Sequence, residues 1–184
     1  MVGPSNSRRM PWLVCAVVAV VGFTAAACGS QAGAPTTGAP LPAGSAPSEI
    51  AKMVCQPKAQ HEIDEVLGVT STIGTPAWSN HRYSCRYGFA NGAFSLSVKE
   101  LSSWGQTLGY YRGFGSGLAS SHAIYNLGQG AFQASNGSVV VRKDWKVLVV
   151  DVSSLPPQFG NPSAPADNIA LTVANVILGC WHGD

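Results

Sequence analysis

Residues 83–99 read YSCRYGFANGAFSLSVK, and this stretch decides the fold class. Large apolar side chains alternate with small or polar ones on both sides of Asn91-Gly92, a dipeptide typical of two-residue hairpin loops. The stretch therefore predicts a β-hairpin with one apolar and one polar face. With Asn91-Gly92 as the loop, the expected cross-strand pairs are Phe89 with Phe94, Tyr87 with Leu96, and Cys85 with Val98.

A second hairpin is predicted around Asn136-Gly137. In this hairpin, the expected partners across the loop are Phe132 and Ala134 on one strand, facing Val139 and Val141 on the other. Residues 147–150 read VLVV, a run typical of a central strand that is buried on both faces. Together these segments predict an antiparallel sheet of about five strands.

Helices are predicted before and after the sheet. The first has Pro57 in its first turn, Ile63, Val66 and Leu67 at helical spacing, and Gly68 at its end. The last helix carries one apolar stripe, formed by Ile169, Val173, Val176, Ile177 and Cys180. The chain is therefore expected to fold as an α+β domain, in which two hairpins and a central strand form the antiparallel sheet and helices pack on it.

The first 28 residues have the order of an export signal. Arg8 and Arg9 precede an apolar run over residues 12–23, and three alanines then precede Cys28. This pattern resembles the bacterial lipoprotein signal, in which small residues precede the cysteine that receives lipid. The resemblance implies cleavage after Ala27, a diacylglycerol thioether on Cys28, and anchoring at the outer face of the cell membrane. The alternative is an uncleaved membrane-spanning anchor, because the apolar run approaches the minimum length for a bilayer span.

A flexible tether is expected between the signal and the domain. Residues 28–47 are dominated by Gly, Ala and Pro and carry no charge, so they lack the apolar surface that would offset ordering. The predicted organisation is a signal peptide over residues 1–27, the tether over 28–47, and one extracytoplasmic domain over 48–184. Removing the signal removes two of eleven Lys and Arg residues, which leaves nine against nine Asp and Glu. A nearly neutral mature chain favours neither nucleic acid nor an anionic lipid surface as a partner.

Three cysteines remain for the domain, since Cys15 lies in the signal and Cys28 is expected to carry lipid. In an oxidising compartment three cysteines form one bridge and leave one thiol. The favoured pair is Cys55 with Cys85, because Cys55 precedes the first helix, Cys85 lies on the core face of a strand, and Cys180 fits as a small apolar residue. A bridge from Cys180 to Cys55 or to Cys85 is the alternative.

Signatures of catalysis are scarce in this chain. It has no nucleophile elbow, no zinc-protease helix motif and no Walker loop. His61, Asp64 and Glu65 lie on adjacent turns of the first helix and would provide three metal ligands, which suggests a metal-dependent envelope hydrolase as an alternative function. A solvent-exposed charged face explains the same residues, so we assign no metal, no cofactor and no catalytic residue.

Residues 102–118 combine aromatic side chains with recurring glycines. Four glycines occur at every fourth position from Gly105 to Gly117, although a glycine costs about 1 kcal/mol in a helix interior. One interpretation is that this helix approaches the sheet closely, or frays at its end, with its aromatic residues in the core. The other is a shallow face for an apolar ligand, a glycan or a protein. The residues that would then bind ligand are Trp104, Tyr110, Tyr111 and Phe114.

The domain as a whole resembles the small secreted lipoproteins of unassigned function that are abundant in actinobacteria. The similarity lies in Cys55 before the first helix, residues 84–87 on a strand, residues 127–132 entering the second hairpin, and a closing helix over residues 174–181. It implies an α/β sandwich like that of small photosystem-associated and nuclear-import accessory proteins, and it brings no catalytic residues. We therefore expect a non-enzymatic binding or accessory module at the cell envelope, with the membrane and an envelope lipid, glycan or protein as partners.

Overall fold

The computed structural model describes residues 39–117 and 121–181; the predicted signal peptide and Cys28 lie outside the described residues. The helices are α1 (Glu49–Met53), α2 (Pro57–Leu67), α3 (Trp104–Gly117) and α4 (Ala166–Cys180). The main sheet contains β1 (Thr72–Ile73), β2 (Ala77–Ser79), β3 (Arg82–Phe89), β4 (Gly92–Glu100), β5 (Ser121–Ile124), β6 (Gly130–Ala134), β7 (Val139–Lys143) and β8 (Lys146–Asp151). A small second sheet pairs β9 (Gln158–Phe159) with β10 (Ala164–Pro165).

The main sheet is antiparallel throughout, with the order β1-β3-β4-β8-β7-β6-β5 and with β2 also paired to β3. This confirms the predicted α+β class and the antiparallel sheet. The expected number of about five strands was too low, because the described part of the sheet has eight. The three additional strands, β1, β2 and β5, contain only two to four residues each, which is too short for a periodic pattern to reveal them.

The first hairpin forms, but its register differs from the prediction by two residues. Phe89 pairs with Gly92, so Ala90 and Asn91 form the loop in place of Asn91-Gly92. The apolar residues keep their face, because a shift of two residues preserves the side-chain alternation. Gly92 is needed for a different reason: a Cβ atom there would lie 2.9 Å from the Cδ atom of Pro156.

The second hairpin is displaced from its predicted register by one residue. Phe132 pairs with Val140, and Ala131 pairs with Val141. A shift of one residue moves a side chain to the other face of the sheet. The prediction that Phe132 faces Val139 and Val141 was therefore wrong, since Phe132 and Val140 pack on the opposite face.

The central strand is β8, between β4 and β7, as the VLVV run predicted. On one face of the sheet, here called the first face, Leu148 and Val150 join the main core. The helices α1, α2 and α4 contribute to this core, and the stripe residues Ile169, Val173 and Ile177 of α4 are fully buried in it. The predicted first helix is also confirmed, because α2 begins at Pro57 and ends before Gly68 in the left-handed conformation. Of its three apolar residues at helical spacing, however, Val66 is 48% exposed.

A disulfide joins the helical layer to the sheet. Cys55, just before α2, pairs with Cys85 of β3, and their Cα atoms are 5.9 Å apart. This confirms the favoured pairing and excludes the bridges from Cys180 to either residue. Closing a loop of 30 residues stabilises the fold by about 3–4 kcal/mol in the chain-entropy model. Contrary to expectation, the structure does not leave Cys180 as a free thiol.

The opposite face of the sheet, here called the second face, is only partly covered. Helix α3 lies over β7 and β8, where Phe132, Val140 and Val147 form a small second core. The outward side chains of β3 and β4 lie beyond this cover. The second face therefore has a covered half and an open half.

The chain joins the domain before its first helix. The Ala43 N–H donates to the Leu101 carbonyl oxygen at 3.1 Å, and the Trp78 Nε1–H donates to the Ser45 carbonyl oxygen at 3.1 Å. The Ser48 hydroxyl then caps α1 by accepting from the Ala51 N–H. The last residues of the predicted tether thus contact the domain. No helix among the described residues is both long and apolar enough to cross a bilayer.

Candidate ligand-binding groove

An open groove of about 430 Å³ lies on the open half of the second face, and Phe114 of α3 is part of its lining. Its volume falls within the range of about 300–1,000 Å³ that is typical of small-ligand sites. The floor consists of side chains that point away from the main core. Its polar residues are Arg82, Ser84, Arg86, Ser95, Ser97 and Asp151.

The strand register arranges the floor in three cross-strand rows. From one end to the other, the rows are Arg86-Ser95-Asp151, Ser84-Ser97-Val149, and Arg82-Lys99-Val147. The last row reaches the groove only at Arg82, because Val147 is buried under α3. Serine hydroxyls occupy the middle, and each end carries an arginine. Arg82 lies directly opposite Lys99, a like-charge pairing that disfavours the sheet when nothing neutralises it.

Asp151 is the carboxylate of the groove floor. It accepts hydrogen bonds from the Ser138 hydroxyl at 3.2 Å and from the Ser153 N–H at 3.0 Å. Partial burial acts to raise the pKa of Asp151, but the hydrogen bonds from Ser153 and Ser138 outweigh it, so the pKa lies below the usual aspartate value. Asp151 is therefore ionised at neutral pH, and it remains an acceptor for ligand hydroxyl groups.

Aromatic rings of α3 lie beside the groove. The Tyr110 and Phe114 rings meet edge to face at 5.2 Å, and the Lys99 ammonium lies 5.6 Å from the Tyr110 ring centre. Burial raises the pKa of Tyr110, while the nearby Arg82 acts against it. Tyr110 is therefore a neutral phenol at physiological pH, and together with Phe114 it presents an aromatic wall next to the polar floor.

The other two aromatic residues predicted to bind ligand contact Arg142 of β7. The guanidinium carbon lies 4.0 Å from the Trp104 ring centre and 5.6 Å from that of Tyr111. Tyr111 also packs edge to face on Phe132 at 5.1 Å. The structure therefore divides the four predicted residues: Tyr110 and Phe114 lie beside the groove, whereas Trp104 and Tyr111 cover a buried arginine.

Arg142 is only 8% exposed, and one of its terminal nitrogens donates to the Gln129 carbonyl oxygen. Burial lowers the pKa of its guanidinium, and Tyr111 acts in the opposite direction. A Cβ atom at Gly130 would lie 2.9 Å from the guanidinium, so this glycine makes room for Arg142. Gly128 adopts a positive φ of 59° where the chain passes close to β7. Residues 127–130 read LGQG and are here called the LGQG segment. Packing explains both of its glycines.

Three of the recurring glycines of α3, Gly105, Gly109 and Gly113, do not face the sheet. A Cβ atom at Gly105 or Gly109 would meet nothing within 4 Å. Close approach to the sheet was therefore the wrong explanation for these positions; the glycine near the sheet is Gly115, where a Cβ atom would lie 3.9 Å from the Phe132 ring. The outward glycines and the sheet-facing aromatic rings lie on different sides of α3.

The structure does not group the three candidate metal ligands of α2. His61 and Glu65 are exposed, and the Asp64 carboxylate accepts from the Ser71 N–H at 3.1 Å. Among residues 39–117 and 121–181, no three His, Cys, Asp or Glu side chains are arranged to hold a metal ion. Asp64 thus has a structural partner in the loop that follows α2.

The groove was missed from the sequence, although its signal was visible. Ser84 and Arg86 alternate with the apolar residues of β3, and Ser95 and Ser97 do so in β4. Alternation shows that these side chains point away from the core, but it does not show whether a helix covers them. No family model, curated protein or solved structure matches the chain.

Proposed function

We propose that this protein is a lipoprotein of the cell envelope that is anchored through lipid on Cys28 and acts as a non-enzymatic binding module, with the groove as its ligand site. One observation carries the proposal: the half of the second face that α3 leaves open is lined by polar side chains. Convergent polar groups beside an aromatic wall are typical of ligand sites.

The chemistry of the groove supports binding over hydrolysis. A serine nucleophile needs a general base within hydrogen-bond reach. Among the residues that line the groove there is no histidine, Cys85 is held in the disulfide, and the lowered pKa of Asp151 makes its carboxylate a weak base. The lining groups therefore suit recognition of a ligand through hydrogen bonds and charge.

The proposed anchor would keep the groove near the membrane. Fourteen residues separate Cys28 from Ala43, whose N–H donates to the Leu101 carbonyl oxygen, so the proposed lipid is joined to this contact by residues 28–42. Such a segment spans at most about 50 Å when extended, and roughly 20 Å as a flexible coil. The ligand is thus expected among envelope components within this distance.

The binding site is tested by native mass spectrometry of the protein extracted from membranes. We expect a discrete added mass beyond that of the lipid, and its loss in Ser97→Trp, which fills the middle of the groove. The control is Lys58→Trp, on the exposed surface of α2, which should retain the added mass. Both variants must keep the far-ultraviolet circular dichroism of the parent. The site is contradicted if the parent shows no added mass, or if both variants keep the added mass.

The anchor is tested separately by the intact mass of the membrane form. The expected mass is that of residues 28–184 with acyl chains, and Cys28→Ala should abolish both cleavage and lipid attachment. A mature form that retains residues 1–27 would show an uncleaved membrane anchor instead. The two experiments fail independently, because the first concerns the groove and the second the N-terminus.

A further inference from the structure

The two arginines of the groove floor have no anionic partner in the part of the chain that the structure describes. Neither Arg82 nor Arg86 forms an ion pair within the described residues, and both are exposed. Asp151, which shares a row with Arg86, already accepts two hydrogen bonds from its own neighbours. The groove therefore has excess positive charge that is available to a ligand.

The row at the opposite end of the groove shows the same excess. Arg82 and Lys99 are direct cross-strand partners, and the Lys99 ammonium donates to the Asn80 carbonyl oxygen, which carries no net charge. Like charges in direct opposition cost stability, and a bound anion would remove that cost. This end of the groove is therefore suited to an acidic group.

The spacing of the two arginines limits the kind of anion. Arg82 and Arg86 are four residues apart on β3, which places their Cα atoms about 13 Å apart at a rise of about 3.3 Å per residue. Between them, the floor presents the hydroxyls of Ser84 and Ser97. A single small anion reaches one end only, whereas an oligomer with acidic groups on separate units reaches both.

The aromatic wall adds a further constraint. Phe114 lines the groove, and Tyr110 meets it edge to face. Aromatic faces pack against the apolar C–H faces of sugar rings, while serine and carboxylate oxygens hydrogen-bond to sugar hydroxyls. Acidic groups, hydroxyl groups and flat apolar faces occur together in acidic oligosaccharides.

We infer that the groove binds an anionic glycan along β3, with Arg82 and Arg86 holding acidic groups on separate sugar units and the serines between them contacting hydroxyls. This inference rests on the proposed function, since it names the ligand class of the same groove.

The test is calorimetric titration of the full mature chain in neutral detergent with three probes: tetragalacturonate, the neutral tetrasaccharide maltotetraose, and inorganic phosphate. We expect tetragalacturonate to bind, and we expect its affinity to fall when the salt concentration is raised, because salt screens the charges. Maltotetraose and phosphate should each bind at least about tenfold more weakly, because each lacks part of the recognised chemistry.

Matched variants locate the binding. Arg82→Gln and Arg86→Gln should each weaken tetragalacturonate binding about tenfold or more, because each removes a charge-assisted contact. The control Arg112→Gln removes the same charge from the exposed surface of α3, away from the groove lining, and should leave the affinity within about twofold. Glutamine keeps the length and polarity of these exposed side chains, so the fold should be retained.

Several results would overturn the inference. They are equal affinity for the neutral and acidic tetrasaccharides, phosphate binding as tight as that of tetragalacturonate, no binding of any probe, or equal effects of all three arginine variants. The proposed function is judged by a separate result: a natural ligand that Ser97→Trp displaces supports the groove even if that ligand proves to be uncharged. Failure of the ligand class is thus distinguishable from failure of the site.

Discussion

The two halves of the second face are made by strands of one sheet, yet their outward residues differ. Under α3 they are apolar, as in Phe132, Val140 and Val147. Beyond α3 they are polar, as in Ser84 and Ser97. A helix stabilises the fold only where it buries apolar area, so the composition of each strand's outward side marks where the cover ends.

The arginines of the two halves show the same contrast. In the covered half, Arg142 is buried between the Trp104 ring and the LGQG segment, and its role is structural. In the open half, Arg86 is exposed and has no ion-pair partner within the described residues. One residue type therefore serves packing in one half and is available for a ligand in the other.

The largest expected difference between the halves is in stability. Phe132→Ala removes a buried ring from the covered half and should lower the free energy of unfolding by about 3–5 kcal/mol. Ser97→Ala in the open half should change it by no more than about 0.5 kcal/mol. Urea denaturation of both variants measures the difference. Comparable losses would mean that the open half is as tightly packed as the covered one.

A smaller effect is expected at the edge of the cover. Trp104 is 47% exposed and stacks on Arg142, so Trp104→Ala should cost about 1–2 kcal/mol through loss of the cation–π contact. Trp104→Phe, which keeps an aromatic face, should recover part of this. Ligand affinity in the groove should not change in either variant. Lost affinity with unchanged stability would place the binding site at Trp104, on the Arg142 side of α3.

A gain in stability is expected on the outward side of α3. Gly109→Ala should raise the free energy of unfolding by about 0.5–1 kcal/mol, because a Cβ atom meets nothing there and alanine favours the helix. The measurement is the denaturation midpoint, with Gly115→Ala, near the Phe132 ring, as the comparison. If Gly109→Ala is stabilising but abolishes ligand binding, the glycine side of α3 is itself part of the binding site.

The smallest effect concerns the acid response of the open half. The pKa of Asp151 is lowered in the folded state, so its ionised form contributes stability that is present above its unfolded pKa near 3.8 and is lost as the pH falls further. Asp151→Asn should therefore flatten the decline of the melting temperature between about pH 5 and pH 2. Glu65→Gln, on the exposed surface of α2, is the control and should leave the slope unchanged. An identical slope in parent and Asp151→Asn would contradict the lowered pKa.

Much of the first face was predictable because its signals are local. Alternation in β3 and β4 identified the core residues, and helical spacing identified α2 and α4. The Cys55–Cys85 bridge was favoured because Cys55 precedes the first helix and Cys85 lies on the core face of a strand, and it forms, although the premise that Cys180 stays unpaired was wrong. The groove was not predictable in the same way, since polar alternation is the same whether solvent, a helix or a ligand lies above it.

The sequence alone was enough to predict the α+β class, the antiparallel pairing of the long strands, and the apolar sides of α2 and α4. These follow from periodicities of two and 3.6 residues, which depend on neighbouring residues alone. The strand register and the position of α3 became known only from the folded structure. In the first hairpin, Gly92 lies in the strand against Pro156, so the loop is one residue earlier than the predicted Asn91-Gly92. In the second hairpin, Phe132 lies on the face opposite to the predicted one, because β6 and β7 pair one residue away from the register that a two-residue Asn136-Gly137 loop would give. Both depend on contacts between distant segments, and these contacts also leave β3 and β4 uncovered and so create the groove.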